Sequence, residues 1–175
     1  MRNTAFLLLG LALIIVQSNL FRVVGGIGVA GITPSLLLPL IVFMGVHEYS
    51  LARGAALSFA LGYLLDVFAA APIGLYTFTS VAIFVASRGA GVRLAAQTVL
   101  TKIALAFVFS LLEGLIIVIL TALFGSDAAQ PRSLSALVLP YAVSTAVFAP
   151  LVFRAAQRVH VATVSVPRPG EVGTP

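Results

Sequence analysis

Between Arg53 and Arg88 the chain carries one charged residue, Asp66, in the run LARGAALSFALGYLLDVFAAAPIGLYTFTSVAIFVASR. An ionised acid at the centre of a bilayer costs about 2.5–3.5 kcal/mol on insertion scales. A carboxylate kept in such a setting implies a partner or a function. The rest of the chain is equally apolar. It is 61% hydrophobic and 9% charged over 175 residues, with mean hydropathy +1.16. Soluble domains carry roughly 25% charged residues, so this chain cannot cover a water-facing globule. It reads as an all-α integral membrane protein of a single domain.

Spans follow from the spacing of charges, because about 20 apolar residues cross a bilayer as a helix. Residues 3–21 and 23–46 are uncharged, the second becoming strongly apolar from Thr33. Residues 54–87 are too long for one span and divide at Ala71-Pro72-Ile73-Gly74, a turn signal. Residues 103–126 are interrupted only by Glu113, and 133–153 are uncharged. This spacing predicts six transmembrane helices near 4–21, 33–48, 50–69, 73–89, 99–124 and 134–154. Residues 1–160 form the membrane domain. Residues 161–175, with three prolines and two glycines, form a disordered cytoplasmic tail.

The cations orient the spans. With the N-terminus inside, Arg2, Arg53, Arg88, Arg93, Lys102, Arg154, Arg158 and Arg168 are cytoplasmic, while Arg22 and Arg132 are outside. Eight against two is the positive-inside pattern, and it puts both termini in the cytoplasm. The net charge of +5 is therefore read as topology, not as a nucleic-acid footprint. Residues 1–18 also have the outline of a signal peptide. A retained first span is the preferred reading, since cleavage would leave five. Pro34 suits a helix start, and Pro39 either kinks the second span or makes it re-entrant.

Gly54, Ser58, Gly62, Asp66 and Ala70 recur every four residues, which aligns them along one helix stripe. Small residues at that spacing let a second backbone approach closely, the usual means of helix association in lipid. Asp66 continues the stripe toward the Pro72–Gly74 turn. It either caps that turn by accepting backbone N–H bonds or offers a contact to a partner, and free donors at the turn favour the cap. Glu113, with Ser110 and Gly114 nearby, reads as a hydrogen-bonded structural acid more readily than as part of a proton relay. Tyr76, Thr77, Thr79 and Ser80, and Tyr141, Ser144 and Thr145, give two spans polar outer halves. Inter-helix hydrogen bonds account for these, with an outward-facing ligand pocket as the alternative.

Other motifs carry little. Gly26-Ile27-Gly28-Val29-Ala30-Gly31 matches the dinucleotide fingerprint but lacks its strand–turn–helix setting. His47-Glu48 opens like a zinc-helix motif, yet Leu51 replaces the second histidine, and catalytic zinc needs three protein ligands. No cysteine is present, so thiol chemistry is excluded. No cofactor, metal or nucleophile arrangement emerges, and the expectation is a non-enzymatic protein.

Taken together, Thr33-Pro34-Ser35-Leu36-Leu37, Gly62-Tyr63-Leu64-Leu65-Asp66 and Pro72-Ile73-Gly74 resemble the rod shape-determining MreD family. That family has a proline-led second span, a G-x-x-x-D closing the third, and a glycine eight residues later. Gln17, and Pro150 followed by Arg154 and Arg158, also fit. Ser35 stands where Asp or Asn is usual, which lessens the polar role expected there. The resemblance covers about residues 5–158. It implies a subunit of the peptidoglycan elongation machinery in the bacterial inner membrane. Its partner would be an MreC-like protein, with links to a RodA-type glycosyltransferase, its transpeptidase and MreB. It also implies an architecture similar to the substrate-binding subunits of vitamin transporters, so a vitamin-type transport component is the competing expectation. The A-x-x-x-A docking face of such subunits is missing from the first span.

Overall fold

The structure, a computed structural model, describes residues 2–25, 33–47, 50–69, 72–90, 98–124 and 130–163. These form six helices: α1 (Arg2–Gly25), α2 (Leu37–Val46), α3 (Leu51–Phe68), α4 (Leu75–Gly89), α5 (Val99–Phe124) and α6 (Gln130–Thr163). The glycine-rich run 26–31, Glu48, Ala70 and the tail from residue 164 lie outside the described residues.

Each long helix buries one stripe. Phe6, Gly10 and Ile14 do so in α1, and Leu57, Leu61 and Leu65 in α3 beside the small-residue row. Ala106, Phe109, Ser110, Glu113 and Gly114 do so in α5, and Ala142, Ala146, Ala149, Val152, Phe153 and Ala156 in α6. These are the three-and-four-residue spacings of one helix face. The opposite faces are also apolar: Leu8, Ile15, Phe59, Val67, Val85, Val108, Leu115, Val147 and Leu151 are exposed. Meanwhile Ser58, Asp66, Thr79, Ser110, Glu113 and Thr145 are buried. Polar groups inside and many exposed apolar side chains outside reverse the arrangement of a water-soluble bundle. Four helices, α1, α3, α5 and α6, are long and apolar enough to cross a membrane.

α2 sits at the centre. It packs against all five other helices, and all ten of its residues are buried. Its length is about 15 Å, half the roughly 30 Å of a bilayer's hydrocarbon core. The spacing predicted a span over 33–48, and the helix is shorter at both ends. Pro34 does not open it: residues 33–35 are non-helical and the first helical residue is Leu37. The N–H groups of Ser35 and Leu36 are instead drawn to side chains of α6 and α1, as described below. Pro39 is the third helical residue. It lies in the first turn, where a missing N–H breaks no helical bond, so it introduces no break.

α6 departs from expectation in the other direction. It runs 34 residues, about 51 Å, and passes through both Pro140 and Pro150. Interior prolines are tolerated where neighbouring helices and side chains re-satisfy the freed carbonyls. Its last turn reaches into the stretch expected to be disordered. There the Thr163 hydroxyl donates to the carbonyls of Val159 and His160 at 2.8 and 3.1 Å.

One end of the bundle is basic. The first turns of α3 and α5 bring Arg53 and Lys102 there, the last turn of α4 brings Arg88, and the C-terminal third of α6 brings Arg154 and Arg158. The ring of His47, just beyond α2, stacks on Phe43 at 3.9 Å and lies 5.9 Å from that of His160. Asp66 and Gly74 occupy the opposite end of the α3–α4 pair.

Backbone meets backbone between α3 and α4. A Cβ built on Gly62 would stand 2.7 Å from both Thr77 Cα and Tyr76 O. Gly54 likewise leaves its space to the ring of Phe84. We expect Gly62→Ala to lower stability by about 1–3 kcal/mol, the usual range for overpacking. Gly89→Ala, with nothing within 4 Å, should be close to neutral. Thermal unfolding of both variants in detergent checks this, and equal midpoints would contradict the close approach.

Candidate functional site

The stripe residues Gly54, Ser58, Gly62 and Asp66 are all buried on one face of α3. Three of them meet α4: Gly54 faces Phe84, Gly62 faces Tyr76 and Thr77, and Asp66 faces the start of the helix. Ser58 Oγ is the only fully buried side-chain polar atom among the described residues with no hydrogen-bond partner.

Asp66 is 1% exposed. Its Oδ1 accepts from the Tyr76 N–H at 2.7 Å, and its Oδ2 from the N–H groups of Gly74 and Thr77 at 2.9 and 3.2 Å. The Thr77 hydroxyl donates the fourth bond to the carboxylate, also to Oδ2, at 2.5 Å. Gly74, Tyr76 and Thr77 are the N-cap, second and third residues of α4, positions whose N–H groups have no partner within the helix. The carboxylate of one helix thus caps the next, with its charge against the positive end of the α4 dipole. The turn is shaped to permit this. Leu75 N–H donates to Pro72 O at 3.1 Å, and Gly74 has φ +103°, where only glycine is unstrained. The sequence pattern Gly62, Asp66, Gly74 therefore serves one device: close approach, acceptor and turn.

A second polar cluster surrounds the start of α2. Ser35 N–H donates to Thr145 Oγ1 of α6 at 3.0 Å, and Leu36 N–H to Gln17 Oε1 of α1 at 2.9 Å. Ser35 Oγ accepts from Leu38 N–H at 3.3 Å, with the Tyr141 side chain close by. Tyr141 in turn donates to Glu113 Oε2 at 2.6 Å. Pro34 lies immediately before this cluster, and Glu113 ends it on α5. Ser35, whose polar role sequence reasoning discounted, is its centre. The signal that could have found it is a serine close before an apolar helix, where its hydroxyl can accept a first-turn N–H as Ser35 does from Leu38.

Near Asp66, the side chains of Ile14, Gln17, Ser18, Leu65, Phe68, Ala69 and Tyr76 line a cavity of about 360 Å³. Its walls are mostly apolar, with an amide and two hydroxyls.

This geometry defines a helical bundle with a buried polar interior and an apolar exterior, in which two helix starts are capped by side chains from other helices. Comparison with protein-family models, with curated proteins and with solved structures gives no match to this chain.

At the basic end, burial holds His47 below the usual imidazole value of 6.5. Its bond to the Phe43 carbonyl opposes that shift, while His160 and Lys102 add to it. A folded-state value below the unfolded one means the folded protein resists protonation, so this contribution is complete above about pH 6.5 and is lost as pH falls through it. The thermal midpoint in detergent should therefore drop between pH 7.5 and 5.5, and His47→Gln should flatten the drop. An unchanged slope would remove His47 as its source.

The cap generates a second expectation. Both Asp66 oxygens are occupied, so Asn must set an NH2 group against a backbone donor. Asp66→Asn should destabilise by about 1–3 kcal/mol, the cost of an unsatisfied buried group. Asp66→Leu, which leaves all four donors without an acceptor, should cost more. Unfolding midpoints in the order wild type, Asn, Leu support the cap; a Leu variant as stable as wild type would contradict it.

Proposed function

We propose that this chain is a non-enzymatic subunit of the bacterial cell-wall elongation complex. In this reading it spans the inner membrane six times, with both termini cytoplasmic, and binds an MreC-like protein. It would bring that partner together with a RodA-type glycosyltransferase, its transpeptidase and MreB. The observation that supports this most is the common role of Gly62, Asp66 and Gly74. Among the residues that carry the MreD resemblance, Asp66 accepts from the Gly74 N–H at 2.9 Å and Gly62 lets the α4 backbone approach, so these three serve one hairpin closure. The gathering of Arg53, Arg88, Lys102, Arg154 and Arg158 at one end supports the positive-inside orientation.

The competing reading is the substrate-binding component of a vitamin-type transporter. The cavity beside Gln17 and Tyr76 favours it, since 360 Å³ falls within the range of small-molecule sites. Neither reading requires a turnover by the chain alone.

Co-expression with the MreC-like protein of the same genome distinguishes them. The tagged chain should retain that protein through detergent extraction, whereas recovery of the tagged chain alone, together with saturable binding of a small vitamin, would favour transport. Topology has its own check. Reporter fusions after residue 92, after residue 128 and at the C-terminus should read inside, outside and inside. A periplasmic C-terminus would overturn the six-span arrangement.

A further inference from the structure

The exposed face of α6 changes character along its length. Val143, Val147 and Leu151 are 50–67% exposed, and residues 134–153 carry no charge, about 30 Å of helix. That length equals the hydrocarbon thickness of a bilayer. Arg154 follows at once, then Gln157 and Arg158, all exposed. The apolar face resumes with Val161, 67% exposed. Arg154, Gln157, Arg158, Val161 and Ala162 line a shallow open recess of about 450 Å³.

The two described carboxylates are far from this recess. Asp66 is at the opposite end, and Glu113 is bonded to Tyr141, about 20 Å along α6 from Arg154. Among the described residues the neighbouring charges at this end are cations: Arg53, Arg88 and Lys102. Two guanidinium groups one turn apart, beside an amide, present a fork of donors matched to phosphate oxygens. Their aliphatic stems and the flanking valines suit the membrane interface.

We propose that Arg154, Gln157 and Arg158 form a binding site for the headgroup of an anionic phospholipid. The site holds the phosphate between the two arginines, while Val147 and Leu151 lie along the acyl chains. This inference rests on the membrane-spanning reading and not on the identity of any protein partner.

The chain has no tryptophan, so single reporters can be placed in the full-length protein. Leu151→Trp marks the site. Leu123→Trp, at a position 70% exposed near the end of α5, marks the opposite end. Each protein is reconstituted in phosphatidylcholine vesicles containing phosphatidylglycerol, with one lipid or the other brominated as a quencher. At residue 151, phosphatidylglycerol should be favoured roughly fivefold or more, as expected for basic residues at an anionic surface. At residue 123 the preference should be near one. Arg154→Gln with Arg158→Gln should abolish the preference, and Arg→Lys at both should keep only the part that charge alone supplies. Equal quenching by both lipids at residue 151, or a preference that survives the double Gln change, overturns the proposal. Loss of the preference on adding millimolar inorganic phosphate would assign the site to a soluble anion instead, which also overturns it. Absence of quenching by either lipid at both positions would instead reject the membrane-spanning reading on which the site depends.

Discussion

The bundle depends on how the first turn of α2 is satisfied. A helix that begins inside a low-dielectric interior has N–H groups that water cannot reach, and each costs free energy if left alone. Thr145 and Gln17 take the two N–H groups that lead into α2, and Ser35 takes another within its first turn. Each acceptor comes from a defined place, so α1 and α6 are held in register with α2. α5 joins through Glu113 and Tyr141. α3 and α4 repeat the arrangement at a second site, with Asp66 as the acceptor. Charge and hydroxyl groups thus act here chiefly as helix caps supplied across the bundle.

Packing then follows from small side chains. Between helices in lipid the hydrophobic effect gives little net attraction, and close contact must supply it. Gly62 admits the α4 backbone, Gly45 admits Ser87, Gly10 admits Leu61 and Gly114 admits Val138. These contacts lie on α1, α2, α3 and α5, so α2 and its neighbours are bound by one common device. The exposed apolar surface of α3, α5 and α6 contributes nothing inside the bundle, and solvation by acyl chains or by another membrane protein is what it suits.

Much of this was legible in the amino-acid pattern. The predicted span 99–124 coincides with α5, because its boundaries are marked by charge and turn residues close in sequence. The stripe of Gly54, Ser58, Gly62 and Asp66 was legible because a four-residue period projects directly onto a helix face. The length of α2 was not. Its first residue is fixed by Gln17 and Thr145, 19 and 110 positions from the donors they accept, and no local signal encodes such a partner. The passage of α6 through Pro140 and Pro150 was within the predicted span 134–154, but its continuation to Thr163 was hidden, because Arg154 and Arg158 end the apolar run by which a span is recognised. Ser35 was undervalued because a serine carries no charge to draw attention, although its N–H and its hydroxyl each serve a neighbour.

The Asp66 cap also bears on biosynthesis. A lone α3 would emerge with an ionised acid and no donor for it, while a lone α4 would emerge with open N–H groups at its leading end. Each helix carries what the other lacks, and they are separated by a short turn whose glycine is already suited to reversal. In the proposed six-span arrangement the two segments would therefore be far better substrates for the insertion machinery as a pair than singly. On that arrangement α3 would settle only once the ribosome had released α4, so the hairpin would enter the bilayer as one piece, late relative to the synthesis of its first half.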